Sequence, residues 1–89
     1  MKSEEFFIKA KDLVKGYALE HLDKSDTVSE VPEAYIVWFN YTLGNMKALV
    51  STTLLDGMYY EVTYNGDKNE TYLDAYKKWE NVCIKDGEE

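Results

Sequence analysis

From Ala34 to Tyr64 the chain carries three runs of apolar, β-branched and aromatic residues, AYIVWFNYTL, MKALVSTTLL and MYYEVTY, separated around Gly44-Asn45 and Asp56-Gly57. A tight reversal needs positive φ, which Gly and Asn adopt at little cost, so both dipeptides are hairpin signals. The stretch predicts a three-stranded antiparallel meander over about residues 34–43, 46–54 and 58–64. Nothing else in the chain restricts its topology as strongly.

Side-chain parity then gives the two faces. A two-residue turn at Gly44-Asn45 sets Tyr41 opposite Ala48, Phe39 opposite Val50 and Val37 opposite Thr52. The second turn has two solutions. A two-residue loop at Asp56-Gly57 pairs Leu55 with Met58, and a three-residue loop ending in a glycine bulge pairs Leu54 with Met58. The bulged loop is preferred, because it keeps Glu61 and Thr63 off the apolar face. That face then holds Tyr35, Val37, Phe39, Tyr41, Ala48, Val50, Leu54, Met58, Tyr60, Val62 and Tyr64. The opposite face holds Ile36, Trp38, Asn40, Lys47, Leu49, Tyr59 and Glu61.

Amphipathic stretches flank the meander. From Ser3 to about Leu22, Phe6, Phe7, Ala10, Leu13, Val14, Tyr17, Ala18 and His21 recur at helical spacing, with Glu4 and Glu5 in the first turn and Ser3 placed to cap it. His21, at the end of that stripe, has no second His or Cys cluster beside it and reads as a packing or capping residue. A second helix is predicted over about residues 70–83, with Tyr72, Ala75, Tyr76, Trp79, Val82 and Cys83 as its stripe and Cys83 as a small core residue. Asp23 to Glu33 is a polar connector. Its Asp23, Asp26 and Glu30 lack the glycine and terminal glutamate that a calcium loop requires, so no metal is expected there. The result is one α+β domain over residues 1–89, a two-layer α-β-β-β-α sandwich with both helices on one face of the sheet. Double-stranded-RNA-binding domains share this order of elements, but the basic loop and helix that would meet phosphate are missing.

Charge narrows the partners. The 89 residues carry a net charge of −7 and include no Arg, so a general nucleic-acid binder is disfavoured. The N-terminal stretch intersperses charges with apolar residues, which predicts neither a secretory signal nor a membrane span. One cysteine permits no internal disulfide, and a cytoplasmic setting is expected.

The face left open by the helices is the candidate site. It presents Ile36, Trp38, Leu49 and Tyr59 among Asn40, Lys47 and Glu61, an aromatic anchor with a polar rim, where a solvent face would be polar throughout. The competing structural reading lays the connector 23–33 over Trp38 and Tyr59. No catalytic residue, cofactor or metal is assigned. Glu61 is the one strand carboxylate, and its bland role is an edge charge that discourages aggregation.

The run WFNYTLGNMKALVSTTLLDGMYYEVTYNGDKNETYLDAYKKWENVCI, Trp38 through Ile84, resembles a family of small uncharacterised proteins encoded by phages and prophages of lactococci, streptococci and related Gram-positive bacteria. The resemblance implies a protein made in the host cytoplasm and supplies no catalytic residues. It points to a non-enzymatic accessory protein that binds a host or phage protein through the open sheet face, with a homodimer as one form of assembly. The alternative is a small-ligand, nucleotide-like binder or counter-defence protein, with a pocket at a homo-oligomer interface lined by Trp38, Tyr59 and Glu61.

Overall fold

The computed structural model describes residues 1–21 and 32–87. Helix α1 spans Ser3–Glu20, and four strands follow: β1 Ala34–Thr42, β2 Asn45–Thr52, β3 Met58–Asn65 and β4 Glu70–Lys77. They form one antiparallel sheet in the order β1-β2-β3-β4, with α1 packed mainly on β1 and β2. The protein is α+β.

Helix α1 forms because Phe6, Ala10, Val14 and Ala18, four residues apart, line one buried stripe, while Glu4 and Glu5 meet the positive end of the helix dipole. Ser3 lies inside the helix; the capping position is Lys2, whose side chain makes no cap bond. The stripe rests on Met46, Ala48 and Val50 of β2 and on Tyr60, Val62 and Tyr64 of β3, all buried. Phe39 of β1 joins from the side, its ring 5.8 Å from that of Phe6 and 4.6 Å, edge-on, from that of Phe7. Side chains of this size contribute about 1.5–3 kcal/mol each when fully buried. His21 closes the helix. Its backbone N–H bonds the Tyr17 carbonyl at 3.2 Å, its Nδ1 lies 2.8 Å from the same oxygen, and its ring stacks on Tyr17 at 4.0 Å.

The meander is present, with three corrections. The first turn falls on Leu43-Gly44, both at positive φ (51° and 81°), so Thr42 pairs with Asn45 and Phe39 with Ala48. Asn45 is held in β2 because its Oδ1 accepts the Gly66 N–H at 3.0 Å, and this shifts the register two residues while preserving the faces. The second loop runs 53–57, longer than the three-residue loop expected. The Asp56 carboxylate accepts the Met58 N–H at 3.0 Å, and Val50 pairs with Tyr60; the faces again survive.

The third correction moves a site residue. The pairing jumps from Ile36↔Val50 to Trp38↔Leu49, so Val37 is the extra residue of a bulge. Ahead of the bulge the parity reverses. Ile36 faces the core beneath α1, half-buried, and Tyr35 takes the open face.

The second helix expected over residues 70–83 is a strand. Asn65 Oδ1 accepts the N–H groups of Asp67 and Lys68, and Asn69 sits at φ 51°, which turns the chain back along β3. All eight residues from Glu70 to Lys77 then pair with β3, whose unpaired edge would otherwise be left bare. The sheet therefore has four strands, and α1 is the one helix over it among the described residues. Cys83, expected in the core, is exposed. The connector's residues 22–31, including the proposed cover of Trp38, lie outside the described residues.

Candidate functional site: the open face of the sheet

The registers arrange the face opposite α1 as three rows across four strands. One row is Tyr35, Ser51, Tyr59 and Tyr76; the second is Trp38, Leu49, Glu61 and Asp74; the third is Asn40, Lys47, Thr63 and Tyr72. Strands lie about 4.8 Å apart, so neighbours in a row touch. Trp38, Asn40, Lys47, Leu49, Tyr59 and Glu61 are thus brought together on this face, and Ile36 is excluded from it. Sequence reasoning missed Tyr35, Tyr72, Asp74 and Tyr76 as members. The alternation Tyr72-Leu73-Asp74-Ala75-Tyr76 after the Asn65 turn is the signal that could have found the last three.

The rim of the face is exposed and its centre half-buried. Trp38 and Tyr76 each keep 51 % of their surface, Tyr35 49 % and Tyr72 45 %, while Leu49, Tyr59 and Glu61 are intermediate. Aromatic rings of this size offer large apolar area with few rotamers to freeze, which suits them to be anchors.

One ion pair sits across the middle strands. Lys47 Nζ lies 2.5 Å from Glu61 Oε1, on the diagonal between neighbouring pairs. Hydrogen bonding to the Glu61 carboxylate, then its charge, holds the Lys47 ammonium above the ordinary lysine range against a smaller opposing effect of burial. On β4 the Tyr72 hydroxyl donates to the Glu70 carboxylate, and that bond raises the tyrosine pKa above its usual value. Asn40 Oδ1 accepts from the Thr42 hydroxyl at 2.6 Å, which fixes its amide at the edge of β1. With Lys47 neutralised by Glu61, the acidic groups Asp74 and Glu70 set the sign of the face.

At the Tyr35 end the face runs into an open cleft of about 450 Å³ lined by Tyr35, Ser51, Leu54, Met58, Tyr59 and Lys78. The Ser51 hydroxyl is already committed, donating to the Met58 carbonyl at 3.2 Å. Trp38 and Glu61, expected to line a pocket with Tyr59, are not among the residues of this cleft. Among the described residues no group of three or more His, Cys, Asp or Glu gathers as metal ligands would.

One helix laid on a four-stranded antiparallel meander, with an aromatic and acidic face turned outward, defines a small α+β domain whose conspicuous feature is a surface rather than an enclosed pocket. No curated protein and no solved structure shows a match to the chain. The chain belongs to the family of unknown function DUF6275, whose model matches residues 8–86. Among the described residues no helix is long and apolar enough to cross a membrane.

Proposed function

We propose that the protein is a non-enzymatic binding module whose open sheet face engages another protein. The observation that carries this reading is the cluster of half-exposed Trp38, Tyr35, Tyr72 and Tyr76 around Leu49 on one side of the sheet. A solvated antiparallel face is ordinarily polar, and apolar patches with polar rims mark interaction sites. The net charge of −7 speeds encounter with a basic partner. In this reading the protein is an accessory factor of a phage or prophage, acting in the host cytoplasm on a host or phage protein. Glu61 serves the interface as Lys47's counter-ion, with no catalytic step assigned to it.

The test is native mass spectrometry of the protein isolated gently from an expressing Gram-positive host, wild type beside Trp38→Ala. A protein adduct on the wild type that is lost in the variant, with unchanged circular dichroism, is the expected result. An adduct retained by Trp38→Ala would remove the site assignment. The cleft beside Tyr59 favours a second reading, a small planar anion held between Tyr35 and Tyr59 and facing Lys78. A small added mass lost on denaturation would support that reading in place of the first.

A further inference from the structure

Strand β4 ends at Lys77, and the trailing segment 78–87 leaves the sheet beside the open face. Its root is fixed, since the Lys78 N–H donates to the Gly57 carbonyl at 2.7 Å. Beyond that bond every residue to Gly87 is exposed, including Trp79 at 91 %, Val82 at 62 % and Ile84 at 83 %. Three large apolar side chains within six residues, none resting on the body, form half of an interface.

Charge identifies the other half. Residues 77–87 carry Lys77, Lys78 and Lys85 against Glu80 and Asp86, a basic excess in a chain of net charge −7, so the remainder is more acidic than the whole. The open face presents Asp74 and Glu70 unneutralised, and its one lysine is already paired with Glu61. A cationic, apolar segment and an acidic, aromatic face thus occur in the same molecule. The segment has neither Gly nor Pro before Gly87, so it lacks the usual means of reversing sharply onto its own sheet. A second copy can receive it without any reversal.

The size is sufficient. Each copy would contribute a segment of ten residues and a face of twelve, within the twenty to thirty residues a side that bury about 800 Å² per partner in a stable complex. A twofold axis makes both contacts identical.

We infer that two copies form a dimer by reciprocal exchange of residues 78–87, each segment lying across the open sheet face of the other with Trp79, Val82 and Ile84 seated among Trp38, Leu49, Tyr59 and Tyr76. The inference rests on the open face being a protein-binding surface and names a second copy as its resident occupant. Any further protein then competes with the segment for that face.

The native Cys83, between Val82 and Ile84, gives the test. Leu49→Cys places a second thiol at the centre of the face, and mild oxidation is followed by non-reducing electrophoresis. Wild type controls for Cys83 pairing with itself, and Leu49→Cys/Cys83→Ser for face-to-face contact. The expected result is a covalent dimer that needs both cysteines, with Trp79→Ala/Ile84→Ala weakening the dimer at least about ten-fold in sedimentation velocity. An internal disulfide in a monomer would show the segment folding back in cis and overturn the inference. A covalent dimer of Leu49→Cys/Cys83→Ser would also overturn it, while leaving the open face as an interface. A monomer with free thiols would overturn it as well, and the reading of the face would then stand or fall on Trp38→Ala in the adduct experiment.

Discussion

Phe6→Ala tests the central claim of the architecture, that α1 is the layer that keeps water from the sheet. Phe6 is fully buried at the centre of the helix stripe and leans on Phe39, so no neighbouring side chain is free to collapse into the space it would vacate. Truncations of this kind cost about 3–5 kcal/mol, the lost transfer energy plus the cavity. At the usual ~0.05–0.15 kcal/mol per residue, a chain of this length has about 4–13 kcal/mol in all. The variant should therefore lose between a quarter and all of its stability. With a guanidinium slope of about 2 kcal/mol per molar, the midpoint should fall by about 1.5–2.5 M at unchanged slope, followed by tryptophan fluorescence and circular dichroism together. Ile8→Ala is the matched control. It lies on the same helix with 63 % of its surface exposed, and should change stability by no more than about 0.5 kcal/mol. Equal effects of the two changes, or a loss below about 1 kcal/mol for Phe6→Ala, would refute the placement of α1 on the sheet.

Three further outcomes follow from local geometry. Gly66 lies where an added Cβ would fall 2.3 Å from the Gly44 carbonyl oxygen, so Gly66→Ala must separate the two turns and should cost about 1–3 kcal/mol in chemical denaturation. Leu43 is 92 % exposed at φ 51°, a conformation that asparagine tolerates better, so Leu43→Asn should raise the melting temperature, by about 0.5–1 kcal/mol of stability; a lowered value would contradict the turn geometry. Because Lys47 has its pKa raised in the fold, the ion pair stabilises the protein fully below the free lysine value of 10.5 and loses that effect as pH climbs through the higher folded value. Glu61→Gln should return the Lys47 ammonium toward its ordinary range in an NMR titration and flatten the fall in stability above pH 10.5; an unchanged titration would exclude the pair in solution.

The sequence carried the hairpins and most of the face assignments because both depend on nearest neighbours: glycines that accept positive φ, and alternation along a single strand. Both registers settled two residues away from the expected ones, yet parity held, so Trp38, Asn40, Lys47, Leu49, Tyr59 and Glu61 reached the expected face. Ile36 did not, because the bulge at Val37 sits in the unbroken run Tyr35-Ile36-Val37-Trp38-Phe39. That run has no polar residue to mark which way a side chain must turn, and only the partner strand decides.

Strand β4 was hidden for a different reason. Tyr72, Ala75, Tyr76 and Trp79 fall at helical spacing, while Tyr72, Asp74 and Tyr76 alternate as a strand would, and the local pattern does not choose between them. The choice is made at a distance, by the open edge of β3 and by the Asn65 turn that delivers the chain to it. The consequence reaches the site itself. A helix would have turned Tyr72, Tyr76 and Trp79 onto the covered side of the sheet as one buried stripe. The strand sends Tyr72 and Tyr76 to the open face and leaves Trp79, Val82 and Ile84 with nothing to rest on. One misassigned period therefore conceals both halves of the exchange, the aromatic face and the segment that would cover it, and the same ten-residue stretch that defeats periodicity is the one on which self-association turns.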